Sequence, residues 1–360
     1  GSRAFGHVWI LILLTCVVSV CCLLLSVVNV RKIRIPFAKL GKLFGVMEVI
    51  TIPALSDNYM YVVIDRASNF VPSGSWSPCA PMVWNQGFPT PLAGSSITTH
   101  PAKEPDIHFS SSQFRKQHQE KAICAVVDPV EPDKILSAVT QRGLRLESIL
   151  TTHHHSDHAG GNLDLVTKCR KQGLEGVKVY GGDDRISGLT DTVSHGHKIK
   201  IGSNLNVCCL ATPCHTTGHI CYLVTEENST KEGVVFTGDT LFLGGCGRFF
   251  EGTAEQMFKA LIEVLSKLPT TTKVYCGHEY TVKNLEFGLT VEPKNDALKH
   301  RLEAVKRLRA SNQASVPGTI GEELATNPFM RVCEPDVLAH AKTTDPIKAM
   351  KTIREEKDHF

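Results

Sequence analysis

Thr151–Asn162 reads TTHHHSDHAGGN, with four histidines and an aspartate between His153 and His158. The aliphatic run that delivers it, LESIL (Leu146–Leu150), has the length and composition of a buried strand. His153 and His155 alternate along an extended segment and so project to the same side, while His154 points the other way and is expected to be no ligand. Asp157 and His158 turn the corner, and Gly160 and Gly161 leave the backbone room before the next helix. Three imidazoles and a carboxylate form a borderline-to-hard donor set that suits zinc, iron or manganese better than a thiolate-only site would. Four such donors do not converge easily on one ion, so two neighbouring metals are expected. Histidines merely solvated on a loop would not account for the spacing.

The rest of the chain sets limits on what such a site serves. At 360 residues the sequence allows roughly two domains. Apolar residues at 42% and charged ones at 21% describe an ordinary globular protein with a large core. A net charge of +3, with no basic run interleaved with aromatics, argues against a nucleic-acid partner. Thirteen cysteines, an odd number without regular spacing, read as reduced thiols of an intracellular protein.

The first 47 residues contain no Asp or Glu. Val8–Val30 is apolar and long enough to span a bilayer at ~1.5 Å per residue. Arg31, Lys32, Arg34, Lys39 and Lys42 follow it and only Arg3 precedes it, an asymmetry that leaves the C-terminal bulk on the cytoplasmic side. Residues 1–46 are therefore expected to be a membrane anchor facing the cytoplasm. The competing reading is a mitochondrial leader, since RKIRIPFAKLGKLFG also suits a presequence. Met47 would open a soluble cytosolic form.

From Glu48 the pattern becomes short β-branched runs, EVITIPAL, YMYVVID and AICAVVDPV, which read as strands of one sheet. Between the second and third lies 68–119, with nine serines and seven of the eighteen prolines. It is expected to be a disordered insertion. Docking through Trp76, Trp84 and Phe88 has little support there, and His100, His108 and His118 receive no role. PDKILSAVTQRG then reads as a helix between Pro132 and Gly143. Toward the C-terminus NDALKHRLEAVKRLRASN places Leu298, Leu302, Val305 and Leu308 on one stripe. TTDPIKAMKTIREEKD starts a further helix with Asp345 as cap and Pro346 in its first turn, and Arg354 and Lys357 share one of its faces.

Further ligands should lie at later strand ends: CLATPCHTTGH offers His215, VVFTGDTLF offers Asp239 and KVYCGHEY offers His278. His195 and His197 in SHGHKIKIG mimic a ligand pair but read as surface residues. His219 reads as an orienting neighbour, not a ligand, and Cys214 and Cys276 as bystanders. The set H-x-H-x-D-H, T-P-x-H, F-T-G-D-T-L-F and Y-C-G-H-E-Y resembles the metallo-β-lactamase superfamily, and within it the glyoxalase II family of hydroxyacylglutathione hydrolases, from Met47 to Phe360 apart from the insertion.

That resemblance implies an α+β fold: an αββα sandwich over residues 47–278, then an all-helical glutathione-binding domain over 279–360. It implies two divalent metal ions, zinc first and iron or manganese as alternatives. One would be held by His153, His155 and His215, the other by Asp157, His158 and His278, with Asp239 bridging. The implied reaction is hydrolysis of S-D-lactoylglutathione to glutathione and D-lactate by a hydroxide held between the metals, with Asp157 and Asp239 as the catalytic carboxylates. Arg248, Phe250, Tyr280, Arg354 and Lys357 fall on the family's glutathione-contacting positions. Where the animal family commonly has GKFYEG this chain reads GRFFEG, so Phe250 lacks a hydroxyl and Arg248 replaces a lysine; Ser156 stands where the family often has Trp. The protein is expected to act as a monomer. Two alternatives stand beside this reading: a glutathione persulfide dioxygenase, and a membrane-tethered binding relative with little turnover.

Overall fold

The computed structural model describes residues 46–66, 121–227 and 233–360. The expected anchor and leader at 1–46, apart from Val46, and the expected insertion at 68–119 lie outside the described residues. Among the described residues no helix is long and apolar enough to cross a membrane.

The first sheet runs β1 (Met47–Ala54), β2 (Asn58–Asp65), β3 (Ile123–Val127), β4 (Arg145–Leu150), β5 (Lys178–Gly181) and β6 (Asp191–Thr192) in that spatial order. Its first two pairings are antiparallel and the remaining three parallel. The parallel connections need crossovers. Helix α1 (Pro132–Gln141) joins β3 to β4; α2 (Ser156–Ala159) and α3 (Asn162–Lys171) join β4 to β5. In β2 every residue is buried. Strand alternation splits them: Tyr59, Tyr61 and Val63 face one core, Met60, Val62 and Ile64 the other. The second core is closed by Ile135, Leu136 and Val139 of α1 and Leu165, Val166 and Cys169 of α3. A strand buried on both faces has no polar face to show, which explains the continuous apolar run NYMYVVID.

The second sheet contains β7 (Lys198–Ile201), β8 (Leu205–Ala211), β9 (Ile220–Glu226), β10 (Gly233–Gly238), β13 (Lys273–Cys276) and β14 (Gly318–Thr319), ordered β14-β13-β10-β9-β8-β7. A small hairpin, β11 (Leu241–Phe242) and β12 (Gly245–Cys246), follows β10. Between the sheets Tyr61, Val127 and Leu150 meet Val207, Tyr222 and Phe236. The same core continues to Met257, beyond the N-cap Thr253 of α4 (Ala254–Phe258), and to Leu261 and Leu265 in the π and 3₁₀ turns that extend it.

The C-terminal part is helical apart from the two residues of β14: α5 (Thr281–Val291), α6 (Asp296–Ala310), α7 (Ile320–Thr326), α8 (Pro335–His340) and α9 (Pro346–Asp358). On α6 the expected stripe is only partly buried. Leu298, Leu302 and Val305 pack with Leu285 of α5, but Leu308 is 37% exposed, because that small cluster ends one turn before it. Asp345 caps α9 as its sequence suggests, accepting from the amides of Ile347 and Lys348. The described residues pack as one compact unit.

Candidate metal centre

Each histidine named from the motifs follows a strand. β4 runs into Thr151–His155, and His155 is the N-cap residue of α2, so Asp157 and His158 lie on that short helix. Gly161 must be small: a Cβ there would sit 2.0 Å from the Pro129 carbonyl oxygen. β8 leads to His215, β10 to Asp239 and β13 to His278. Gly238, at φ +44°, makes the turn into Asp239, and a Cβ on it would fall 2.5 Å from Thr152 Oγ1 and 2.8 Å from His219 Nε2.

These turns bring the donors together in three groups, each with its donor atoms within 4.8 Å of one another: His153, His155 and His215; His153, His158 and Asp239; and Asp157, His158 and His278. His155 Nδ1 lies 3.0 Å from His153 Nε2 and 3.1 Å from His215 Nε2. His158 Nε2 and His278 Nε2 are 3.2 Å apart. Two nitrogens bound to one tetrahedral zinc at ~2.0–2.1 Å would be ~3.3 Å apart, so the spacing fits a shared cation.

Proton placement supports the same fit. The Thr152 hydroxyl donates to Asp128 Oδ2 at 2.7 Å, so its oxygen accepts from His153 Nδ1 at 3.0 Å. His158 Nδ1 donates to Asp128 at 2.9 Å, His215 Nδ1 to the Arg248 carbonyl at 3.0 Å, and His278 Nδ1 to Asp57 at 2.7 Å. With these partners at Nδ1, each of the four imidazoles turns Nε2 toward the cluster. Asp239 sends Oδ2 to within 3.4 Å of both His215 and His278, and Oδ1 to within 3.4 Å of His158. Its Oδ1 is buried without a hydrogen-bond partner, which an ion would satisfy. A carboxylate so placed can face two cations with its two oxygens, as an imidazole cannot without losing a proton.

The electrostatics run in opposite directions across the centre. Burial, with His158 and His219 next, pushes His153 well below the usual histidine range, and burial lowers His155 and His215 as well. Burial also opposes charge on His278, yet Asp157, Asp239 and Asp57 outweigh it and raise His278 to about 11. Burial would raise Asp239, but His158 and His278 hold it below the ordinary carboxylate range; Asp157 is lowered mainly by His278. The carboxylates thus favour positive charge around His158 and His278, whereas His153, His155 and His215 resist protonation, and divalent cations supply the charge these three rings do not.

His219 lies beside the centre as an orienting neighbour. Its Nε2 accepts from the Asp239 amide at 3.1 Å, and its Nδ1 faces Thr212 and Thr240 at 3.0 and 3.1 Å. His154 points away toward Asp183 and Glu251. His195 and His197 are exposed between β6 and β7. Burial lifts the Cys214 and Cys276 thiols to about 12, so they stay protonated, and neither joins a donor group. The nine cysteines of the described residues are all free thiols. Sequence reasoning missed Asp57, Asn58 and Asp128. Asn58 Nδ2 donates to Asp157 Oδ2 at 3.1 Å, and no short-range spacing signals any of the three.

The residues expected to contact glutathione form the adjoining wall. Tyr280 stacks on His278 with ring centroids 4.7 Å apart. Phe250, 61% exposed, packs on His155 and His215 at 5.9 and 5.1 Å. Arg354 is buried; it donates to the Cys246 carbonyl and to Asp358, and its Nε has no partner. Arg248 reaches Asp358 at 3.3 Å, and Lys357 donates to the Lys283 carbonyl at 3.2 Å.

Two layers of sheet between helices, with His/Asp donor groups able to hold divalent metals along one edge, place the protein in the metallo-β-lactamase superfamily, whose family model matches residues 118–179. A second model, hydroxyacylglutathione hydrolase C-terminus, matches residues 279–360. A Schistosoma mansoni protein named "Probable hydroxyacylglutathione hydrolase" is 89% identical over 233 residues, 65% of this chain and 97% of its own. The Arabidopsis thaliana "Hydroxyacylglutathione hydrolase cytoplasmic" is 48% identical over 237 residues, 66% of this chain and 90% of its own. The Dictyostelium discoideum "Hydroxyacylglutathione hydrolase" is 40% identical over 255 residues, 67% of this chain and 93% of its own. The chain belongs to the hydroxyacylglutathione hydrolase family, the thioester hydrolases also called glyoxalase II.

Proposed function

We propose that the protein hydrolyses S-D-lactoylglutathione and similar S-2-hydroxyacylglutathiones to glutathione and the free hydroxy acid, D-lactate from the first. The observation that carries this reading is the placement of two donor groups sharing the reach of Asp239 beside a wall of aromatic and cationic side chains. His153, His155 and His215 would hold one divalent ion, Asp157, His158 and His278 the other, and Asp239 would bridge; zinc is our assignment. Bound divalent ions polarise a carbonyl and make water acidic enough to serve as a nucleophile near neutral pH. The chain's own groups do the rest. Asp128, Asp57 and the Arg248 carbonyl fix the tautomers of the ligands. Arg248, Arg354 and Lys357 offer cations to the carboxylates of glutathione, and Tyr280 and Phe250 line its path, so the thioester is held over the donors.

We read the protein as a monomer in which residues 47–278 supply the metal donors and 279–360 most of the glutathione contacts. We place the reaction in the cytosol, as the name of the Arabidopsis relative has it. The match over residues 279–360 weighs against a persulfide dioxygenase, and the full donor set against a binding relative freed from catalysis. The test is hydrolysis of S-D-lactoylglutathione beside a simple acyl thioester, with metal content measured on the same sample. Turnover favouring the glutathione substrate with about two metals per chain is expected. A fully metal-loaded protein without turnover would overturn the proposal.

A further inference from the structure

Beneath the first donor group lies an ionic cluster that no step of the reaction uses. The rim segment Gly247–Gly252 leaves β12, passes the metal centre and enters α4 without joining a sheet or helix. It carries Arg248 and the exposed ring of Phe250, and rests on the core only through buried Gly247 and the half-buried ring of Phe249. One end is tied where the Arg248 carbonyl accepts from His215 Nδ1 at 3.0 Å. At the other end Glu251 is tied on both carboxylate oxygens. Oε1 accepts from Arg185 Nη1 at 2.6 Å; Oε2 accepts from Arg185 Nη2 at 2.9 Å and from the Thr217 amide at 2.7 Å. Arg185 is gripped from its other edge by buried Asp183, which accepts from Nε at 2.9 Å. The ring of His154, between two of the donor histidines, lies 3.5 Å from Asp183 and 3.9 Å from Glu251.

We propose that Arg185 and Glu251 are positioning residues that clamp the rim segment to the His215 loop and thereby set the affinity for the glutathione arm of the substrate. The inference rests on the glutathione thioester reading given above. A lone exposed ion pair would carry little weight, but here one guanidinium bridges two carboxylates in fork geometry, and Thr217 shares the second. Arg185 and Thr217 hold Glu251 well below the usual carboxylate range, so the clamp is charged at neutral pH. His153, His158 and His278 keep their own partners, Thr152, Asp128 and Asp57, and His215 keeps the Arg248 carbonyl at the segment's other end, where the Gly247 amide donates to the Thr240 carbonyl. Loosening the rim therefore moves Phe250 and the Arg248 side chain without dismantling the centre.

The test compares Arg185→Met and Arg185→Lys with the unaltered full chain. Arg185→Met is expected to raise KM for S-D-lactoylglutathione about ten-fold, the effect of losing charged hydrogen bonds. kcat, metal content and kcat/KM for a simple acyl thioester should stay within about two-fold. Arg185→Lys should recover only part of the loss, since an ammonium lacks the fork. Independently of activity, hydrogen exchange of the Arg248–Glu251 amides should quicken in Arg185→Met while the β4 and β13 amides stay protected. An unchanged KM with unchanged exchange overturns the clamp, as does an equal loss on both thioesters or a loss of metal. If the unaltered protein turns over both thioesters alike, the glutathione reading fails, and the exchange measurement alone decides the clamp.

Discussion

Asp128 accepts from the Thr152 amide at 2.8 Å, the Thr152 hydroxyl at 2.7 Å and His158 Nδ1 at 2.9 Å, and so governs two donor histidines at once. In Asp128→Asn the amide NH₂ would face one of these groups, and His158 would lose the acceptor that keeps its proton on Nδ1. Metal affinity is expected to fall by about 10–100-fold, read by equilibrium dialysis against a competing chelator. Lys357 gives a pH effect. Burial, with Arg354 and Lys283 nearby, lowers its pKa to about 8, while its ammonium lies 5.2 Å over Phe287 and 5.0 Å over Phe360. Below about pH 8 it is charged and attracts a carboxylate; above, it is neutral. kcat/KM for the glutathione thioester should therefore decline as pH rises through about 8, and Lys357→Met should abolish that limb of the profile. That these seven His and Asp side chains converge was legible in the sequence because two-residue and strand-end spacings are local. Asp128 and Asp57 were not, because they meet His158 and His278 across 30 and 221 residues and leave no periodic trace.

Helix α9 shows what a cap contributes to a site. Asp345 Oδ1 accepts from the Ile347 amide at 2.9 Å, Pro346 starts the first turn, and Ala349, Met350, Ile353 and Arg354 face inward. Asp345→Ala should cost about 1 kcal/mol, seen as a lower urea midpoint with an unchanged slope, while kcat holds. Caps and buried stripes were legible because they repeat within a few residues. The exposure of Leu308 was not, since it depends on where the cluster with Leu285 ends. β14 was equally hidden: two residues, Gly318 and Thr319, pair with β13 only because the intervening helices return the chain to its edge. The alternation that divides β2 between two cores likewise appears in the sequence only as unbroken hydrophobicity.

Across the whole molecule, the donors come from four separate strand ends spread between His153 and His278, so bound cations would cross-link both sheets. Removing them with a chelator is expected to lower Tm and reloading zinc to restore it. The stabilisation lost would be about 4 kcal/mol at a free-metal concentration a thousand times Kd; an unchanged Tm would mean that the donors are held by the chain alone. The sandwich was foreseeable from the family resemblance its motifs carry, whereas the ionic cluster of Asp183, Arg185 and Glu251 was not, because its members become neighbours only after the sheets have stacked. The β2–β3 hairpin points its two ends in opposite directions. Asn58 and Asp128 lie at the metal edge, while Asp65 pairs with Ile123 at the other end, about 24 Å away at ~3.4 Å per residue. Chain length between Asp65 and Ile123 is thus nearly decoupled from chemistry: each doubling there adds only about 0.6 kcal/mol of closure entropy. A tag or a whole domain inserted at that end of the hairpin would leave and re-enter the sheet at the edge far from the donors.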